Sequence, residues 1–280
     1  MEAFKEGLAE LGYVDGGTVN IEFRYGDNAI DRVAALAAEL IALPVDLIVA
    51  QGAAAFEIRK LNIPVPMVYV ISADPVVAGF AASLAKPIGN MSGLTFMAVE
   101  FNGKRLELLR EIIPDLKRVA VISNPEHPGA QLERVFTEEK GREYNLAIDY
   151  FPTANDAALA EAFDKIKANP PLAISVLADG FAVQNRQKII DFAMGLRVPV
   201  ISGWPIFAKS GALCTYGPRQ AESYRRLVYY VDRVLRGTPP ADLPIERPSQ
   251  FELTINLATA NKLGLAVPPS LLALADTVIE

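Results

Sequence analysis

The chain has 280 residues, 51% hydrophobic and 21% charged, with 27 basic against 33 acidic side chains and a formal charge of −6. Such a chain is too apolar to be disordered and long enough for about two domains, and its slightly acidic balance argues against a broad phosphate-binding surface; no nucleic acid partner is expected. One cysteine, Cys214, excludes an internal disulfide and a Cys-based zinc cluster; one histidine, His127, makes a Ser-His-Asp triad or a His-rich metal site improbable.

Met1-Glu-Ala-Phe-Lys-Glu-Gly-Leu8 opens an amphipathic helix and has no signal-peptide apolar region, so export is not visible in the chain. A strand follows at Val19–Tyr25, a helix at Arg32–Ala42 and a strand at Leu47–Ala50. The most apolar window, Ile63–Ala85, is broken only by Asp74 and contains Pro64, Pro66, Pro75 and Gly79. It reads as the strand Met67–Ile71, a turn and a helix start, not as a membrane span. Then come the helix Lys104–Ile113, the strand Val119–Ser123, the helix Ala130–Glu143, the strand Ala147–Phe151 and the helix Ala157–Ala168. The strand Ile174–Leu177, the helix Gln184–Leu196 and the strand Val198–Ser202 complete the alternation. Alternation of this kind predicts an α/β fold of βαβ units with a mostly parallel, doubly wound sheet.

The sequence also repeats. Pro44-Val-Asp-Leu-Ile-Val-Ala-Gln-Gly52 corresponds to Pro171-Leu-Ala-Ile-Ser-Val-Leu-Ala-Asp-Gly180, and Val65-Pro-Met-Val to Val198-Pro-Val-Ile. A repeat of more than a hundred residues is a whole lobe, so two similar lobes are expected. The second opens with the strand and turn Arg118–Pro128, whose equivalent in the first would fall at or before Met1. The expectation is a first lobe that begins directly at its helix and lacks its opening strand. That strand is usually central, so its loss would leave two sheet edges exposed.

Ligands of open α/β sheets sit beyond the C-terminal ends of the strands. After Leu47–Ala50 the small residues Gly52, Ala53 and Ala54 would let a carboxylate approach the N–H groups of a helix start. Asp74 or Asp179 could accept from an ammonium group, so that together these turns would suit a zwitterion. Asn124 and Tyr216 are further polar candidates and Trp204 an apolar wall. Each has a structural alternative: Asp74-Pro75 as a cap with proline at the first helical position, Asn124-Pro125 likewise, and Gly52 and Gly180 as turn geometry. Tyr216-Gly-Pro218 reads as a hinge or a turn, His127 as a solvated turn residue and Cys214 as a small buried group. No Walker, dinucleotide-binding, nucleophile-elbow or zincin motif occurs; no catalytic residue, metal or cofactor is expected.

Phe4-Lys-Glu-Gly-Leu-Ala-Glu-Leu-Gly-Tyr-Val14, Asp74-Pro-Val-Val-Ala-Gly-Phe80, Gly89-Asn-Met-Ser-Gly-Leu94, Gly103-Lys-Arg-Leu-Glu-Leu-Leu109, Tyr216-Gly-Pro218 and the tail from Phe251 to Pro268-Pro-Ser-Leu-Leu272 carry a resemblance. From Phe4 to Glu280 the chain resembles the ABC transporter substrate-binding proteins of the tryptophan/tyrosine-type group. The resemblance implies a type I periplasmic-binding-protein fold, two lobes joined by a three-strand hinge, divided as 1–117 plus 216–245 and 118–215 plus 246–280. It implies closure on a small amino acid or related carboxylate and delivery to ABC permease subunits, from a periplasmic or extracytoplasmic position with a lipid anchor. An extracytoplasmic ligand-sensing module of a signalling system is the alternative. Trp204 departs from the family's small or polar residue at that turn.

Overall fold

The computed structural model describes residues 2–26, 30–96, 99–177 and 179–280. In chain order the first elements are α1 (Glu2–Glu10), α2 (Ile30–Ala42), β1 (Ile48–Gln51), α3 (Ala53–Lys60), β2 (Met67–Ile71), β3 (Ala81–Ser83), β4 (Lys86–Pro87) and β5 (Met91–Thr95). Next come α4 (Val99–Ile112), β6 (Arg118–Ser123), α5 (Ala130–Glu143), β7 (Ala147–Pro152), α6 (Asp156–Ala168), β8 (Ala173–Val176), α7 (Gly180–Gln184), α8 (Arg186–Gly195), β9 (Val200–Ser202), α9 (Pro205–Lys209) and β10 (Cys214–Pro218). The chain closes with α10 (Gln220–Leu235), β11 (Phe251–Asn256), α11 (Leu257–Leu263), α12 (Pro269–Leu274) and β12 (Thr277–Ile279).

The chain folds as two compact units, Met1–Met97 with Arg219–Gln250 and Ala98–Pro218 with Phe251–Glu280, and passes from one to the other three times. In unit 1 the parallel sheet has the order β1-β2-β5. β2 divides its side chains between two apolar layers. Val68 and Val70 meet Phe4, Leu8, Leu227 and Val231 of α1 and α10, while Met67, Tyr69 and Ile71 meet Ala37, Ala55 and Ile58 of α2 and α3. Both faces are therefore covered, as a parallel sheet requires. Unit 2 has the seven-stranded order β12-β11-β10-β9-β8-β6-β7, parallel except where β10 meets β11. Here Val119 and Val121 of β6 pack with α4, and Ala120 and Ile122 pack against α6 and α8.

Four expectations change. Val19–Tyr25 forms no strand; apart from an isolated bridge from Asp15 to Val19 it has no regular secondary structure. Its β-branched residues have the propensity, but a strand is stabilised by its neighbours, and among the described residues no strand pairs with β1 on the side away from β2. After β2 the segment from Pro75 begins no helix. Its N–H groups close a single turn, Ala78 to Asp74 O and Phe80 to Pro75 O, and the chain then enters the β3–β4 hairpin. The units also divide at other places than the expected 117/118, 215/216 and 245/246. α4 belongs to unit 2 because Leu106, Leu108, Leu109 and Ile112 share a core with Val119 and Val121. Unit 1 extends to Gln250 because Glu246 bridges Leu94 and forms a two-point ion pair with Arg226 of α10, at 2.6 and 2.7 Å. Tyr216-Gly-Pro218, read as a turn or hinge, is strand: β10 pairs with β11 through Pro218.

Cys214 is fully buried, and burial pushes its thiol up to about 12. It is expected to resist a thiol reagent at pH 8 until the protein unfolds, so that labelling follows the unfolding transition in a denaturant titration.

Candidate functional site

The C-terminal ends of β6, β8, β9 and β10 are consecutive neighbours in one parallel sheet, so the turns that leave them form one edge of unit 2. Asn124, Asp179, Trp204 and Tyr216 are brought there by that order. Asn124 is half-buried and its side-chain oxygen accepts from Glu126 N–H at 3.0 Å, closing a turn. Asp179 is buried and caps α7, accepting from Ala182 N–H at 2.7 Å. The residue before it, Ala178, lies outside the described residues. Trp204, the residue before α9, is half-buried and packs on the edge of the cluster around Ile174, Val176 and Phe207. Tyr216 sits among Phe101 and Phe251, with ring centroids 6.1 and 6.4 Å away.

Beneath this edge lies a charged cluster that the sequence reading did not single out. Arg105 of α4 is 4% exposed. Its Nε donates to the Tyr216 carbonyl at 2.9 Å and its Nη1 to Asn102 Oδ1 at 2.7 Å. Burial lowers the guanidinium to about 10, opposed by the charge of Glu133. Glu133 of α5 is also buried, and burial raises its carboxyl while His127 and Arg105 pull it down and Asp179 adds to the rise. His127, expected in solvent, is half-buried and near enough to Glu133 to stabilise its charge. The Asn102 Nδ2 and the Thr215 hydroxyl are buried with no hydrogen-bond partner among the described residues. The available signal was the stretch Gly103-Lys-Arg-Leu-Glu-Leu-Leu109, which carries Arg105, and the helical spacing of three from Asn102. Amphipathic reading places a polar pair at that spacing in solvent; the unit-2 core puts it inside.

The Glu133 shift has a pH consequence. A carboxyl whose folded value lies above its unfolded one binds its proton more readily when folded, so ionisation costs stability. The cost is absent below the ordinary carboxylate range and complete above the raised value. Glu133→Gln is therefore expected to raise the melting temperature at pH 7, with the gap to wild type closing as the pH falls through the folded carboxyl's range. Melting curves from pH 4 to 8 check this; a gap that does not change with pH refutes it.

In unit 1 the turn after β1 holds Gly52, Ala53 and Ala54 and the turn after β2 holds Asp74. Gly52 caps α3 with φ 58°, a conformation that favours glycine, and has no side chain to satisfy the leading N–H groups of the helix. Asp74 is half-buried, and its Oδ1 accepts from Val76 N–H at 2.8 Å and Val77 N–H at 3.3 Å. No cluster of three or more His, Cys, Asp or Glu side chains able to hold a metal occurs among the described residues.

Residues 1–279 match the family model described as ABC transporter substrate binding protein. The chain belongs to that family. It is a family of solute-binding proteins, not of enzymes. The chain is 26% identical over 277 residues to a tyrosine-binding protein of Clostridioides difficile, covering 94% of this chain and 76% of the relative. A conserved domain protein of Vibrio cholerae superposes with a TM-score of 0.93 at 22% identity, over 99% of this chain and 93% of that one. A Streptococcus pneumoniae ABC domain solved in complex with L-Trp superposes with a TM-score of 0.92 at 23% identity, with the same coverages. These likenesses establish the type I periplasmic-binding-protein fold for this substrate-binding protein. Among the described residues no helix is long and apolar enough to cross a membrane.

Proposed function

We propose that this protein binds an amino acid, or a related carboxylate with an aromatic side chain, and delivers it to ABC permease subunits from an extracytoplasmic position, held by a lipid anchor. The observation that carries the reading is the kind of turn found in each unit taken by itself. Gly52 leaves the N–H groups of α3 uncapped by any side chain, which suits a carboxylate, while Asp179 presents a buried acid, which suits an ammonium group. In this proposal Gly52, Ala53 and Ala54 meet the carboxylate. Asp74, Asn124, Asp179 and Tyr216 make the polar contacts, and Trp204 forms the wall against an apolar or aromatic side chain. Ligand binding draws the two units together, and the permease reads that closed state. The tyrosine-binding relative and the L-Trp complex support an aromatic amino acid as the first choice.

A thermal-shift screen of the amino acids, of aromatic acids and of sugars tests the ligand class. A ligand at 100 times its dissociation constant adds about 2.7 kcal/mol, which for a protein near this size is roughly 5–10 °C. An aromatic amino acid is expected to give that shift; a hit only among sugars would overturn the reading. The double variant Asp74→Asn, Asp179→Asn keeps acceptors for both turns and removes two charges. Its affinity by calorimetry is expected to drop at least tenfold, about 1.4 kcal/mol. Wild-type affinity in the double variant would remove the two aspartates from the site.

A further inference from the structure

Beside the turns that leave β9 and β10, unit 2 buries two opposite charges that do not meet. Arg105 spends Nε on the Tyr216 carbonyl and Nη1 on Asn102, which leaves Nη2. That nitrogen stands 2.4 Å from the point a Cβ on Gly203 would occupy. It therefore lies over the turn between β9 and α9, at a residue whose missing side chain gives it room. Trp204 is the next residue of the same turn.

Glu133 comes from the neighbouring helix. Gly103 of α4 lies against Phe136 and Lys140, which mark the stripe of α5 that faces α4. Glu133 is on that stripe, three residues before the one and seven before the other. Its side chain is 5% exposed and feels the charges of His127, Arg105 and Asp179, so it sits among the turns that follow β6 and β8. Among the described residues neither Arg105 nor Glu133 enters an ion pair within 4.0 Å. Opposite charges held this deep are costly to leave unbridged. The bridging group is defined by what each offers. It must accept from a guanidinium N–H and donate to a carboxylate. A carboxylate has no proton to give and an ammonium group no lone pair to offer, whereas a hydroxyl has both.

We propose that Arg105 and Glu133 read a hydroxyl group on the ligand's side chain, which accepts from Nη2 and donates to the Glu133 carboxylate. This rests on the reading above, in which an amino acid lays an aromatic ring along Trp204, and adds what selects among such ligands. Gly203 and Trp204 are consecutive, so a hydroxyl on a ring that lies along Trp204 falls beside Nη2. The bonds at Nε and Nη1 fix the plane of the guanidinium before the ligand arrives, so little freedom is lost when Nη2 donates. A ring without the hydroxyl displaces water from both charges and returns no hydrogen bond to either.

Calorimetric titration with L-tyrosine, L-phenylalanine and 4-amino-L-phenylalanine tests the pair. Tyrosine is expected to bind wild type roughly ten- to a hundredfold more tightly than phenylalanine. The amino compound donates well and accepts poorly, so it should fall between them. Glu133→Ala is expected to abolish most of the preference for tyrosine while leaving the affinity for phenylalanine unchanged. A role confined to stability would move both ligands alike. Glu133→Gln keeps a neutral acceptor of the same length and should retain part of the preference; it serves as the second variant if Glu133→Ala fails to fold. Equal binding of tyrosine and phenylalanine by wild type would overturn the proposal alone, since water would then be all that bridges the two charges. A tyrosine preference that survives undiminished in both variants would overturn it as well. Failure of every aromatic amino acid to bind wild type would instead remove the ligand reading beneath it, and the proposal with it.

Discussion

Arg105→Ala is expected to destabilise the protein by about 3–5 kcal/mol, because it removes one member of a buried charged cluster and leaves the rest. Glu133 would lose a buried positive neighbour, and the Tyr216 carbonyl and Asn102 Oδ1 would each lose a donor. Truncating a side chain that is 4% exposed also opens a cavity beside Gly203. At about 2–4 °C per kcal/mol for a unit of this size, the melting temperature should fall by roughly 10 °C. Arg105→Lys should recover only part of the loss, since an ammonium cannot hold Tyr216 and Asn102 through two separate nitrogens of a planar fork. Calorimetric melting of the three proteins checks both statements, and an Arg105→Ala protein that melts with wild type would show that the cluster contributes nothing net.

Gly203→Ala is expected to cost about 1–3 kcal/mol, an overpacking effect with an identifiable partner. A Cβ at Gly203 would stand 2.4 Å from Arg105 Nη2 and 3.0 Å from its Cζ. The end of an arginine usually yields to such a contact, but this one is held at Nε and Nη1 and has little room to move. The cost should therefore depend on Arg105. In an Arg105→Ala background the same glycine substitution is expected to be nearly neutral, so the double-mutant cycle should give a coupling of more than 1 kcal/mol. Additive losses in the four-protein cycle would mean that the strain comes from another contact of Gly203, such as the Gly217 backbone close to its carbonyl. Since Gly203 precedes Trp204, the Gly203→Ala protein should also bind its ligand more weakly if the Trp204 turn belongs to the site.

The contrast between the two stretches that follow α1 and α5 shows how far local sequence reaches. Ala147–Pro152 and the residues around Val19–Tyr25 both read as strands, and only the first forms one. Propensity is the same kind of information in both cases. The difference is a partner: β7 has six register pairs with β6, and among the described residues the stretch 19–25 has a single bridge, from Asp15.

The sequence by itself determined the α/β class, the two-lobed repeat and the family. These are written in periodicity, in Gly and Pro positions and in spacings along the chain, which survive without coordinates. The tertiary structure alone decided that Asp179 is a buried cap, that His127 is drawn toward Glu133, and that Arg105 turns inward to hold the Tyr216 carbonyl. It also decided that α4 belongs with β6 and that β10 continues through Pro218. A charged side chain on a helix carries no mark of which face will be covered. That depends on packing by elements distant in the chain, and for Arg105 the deciding contact lies 111 residues away.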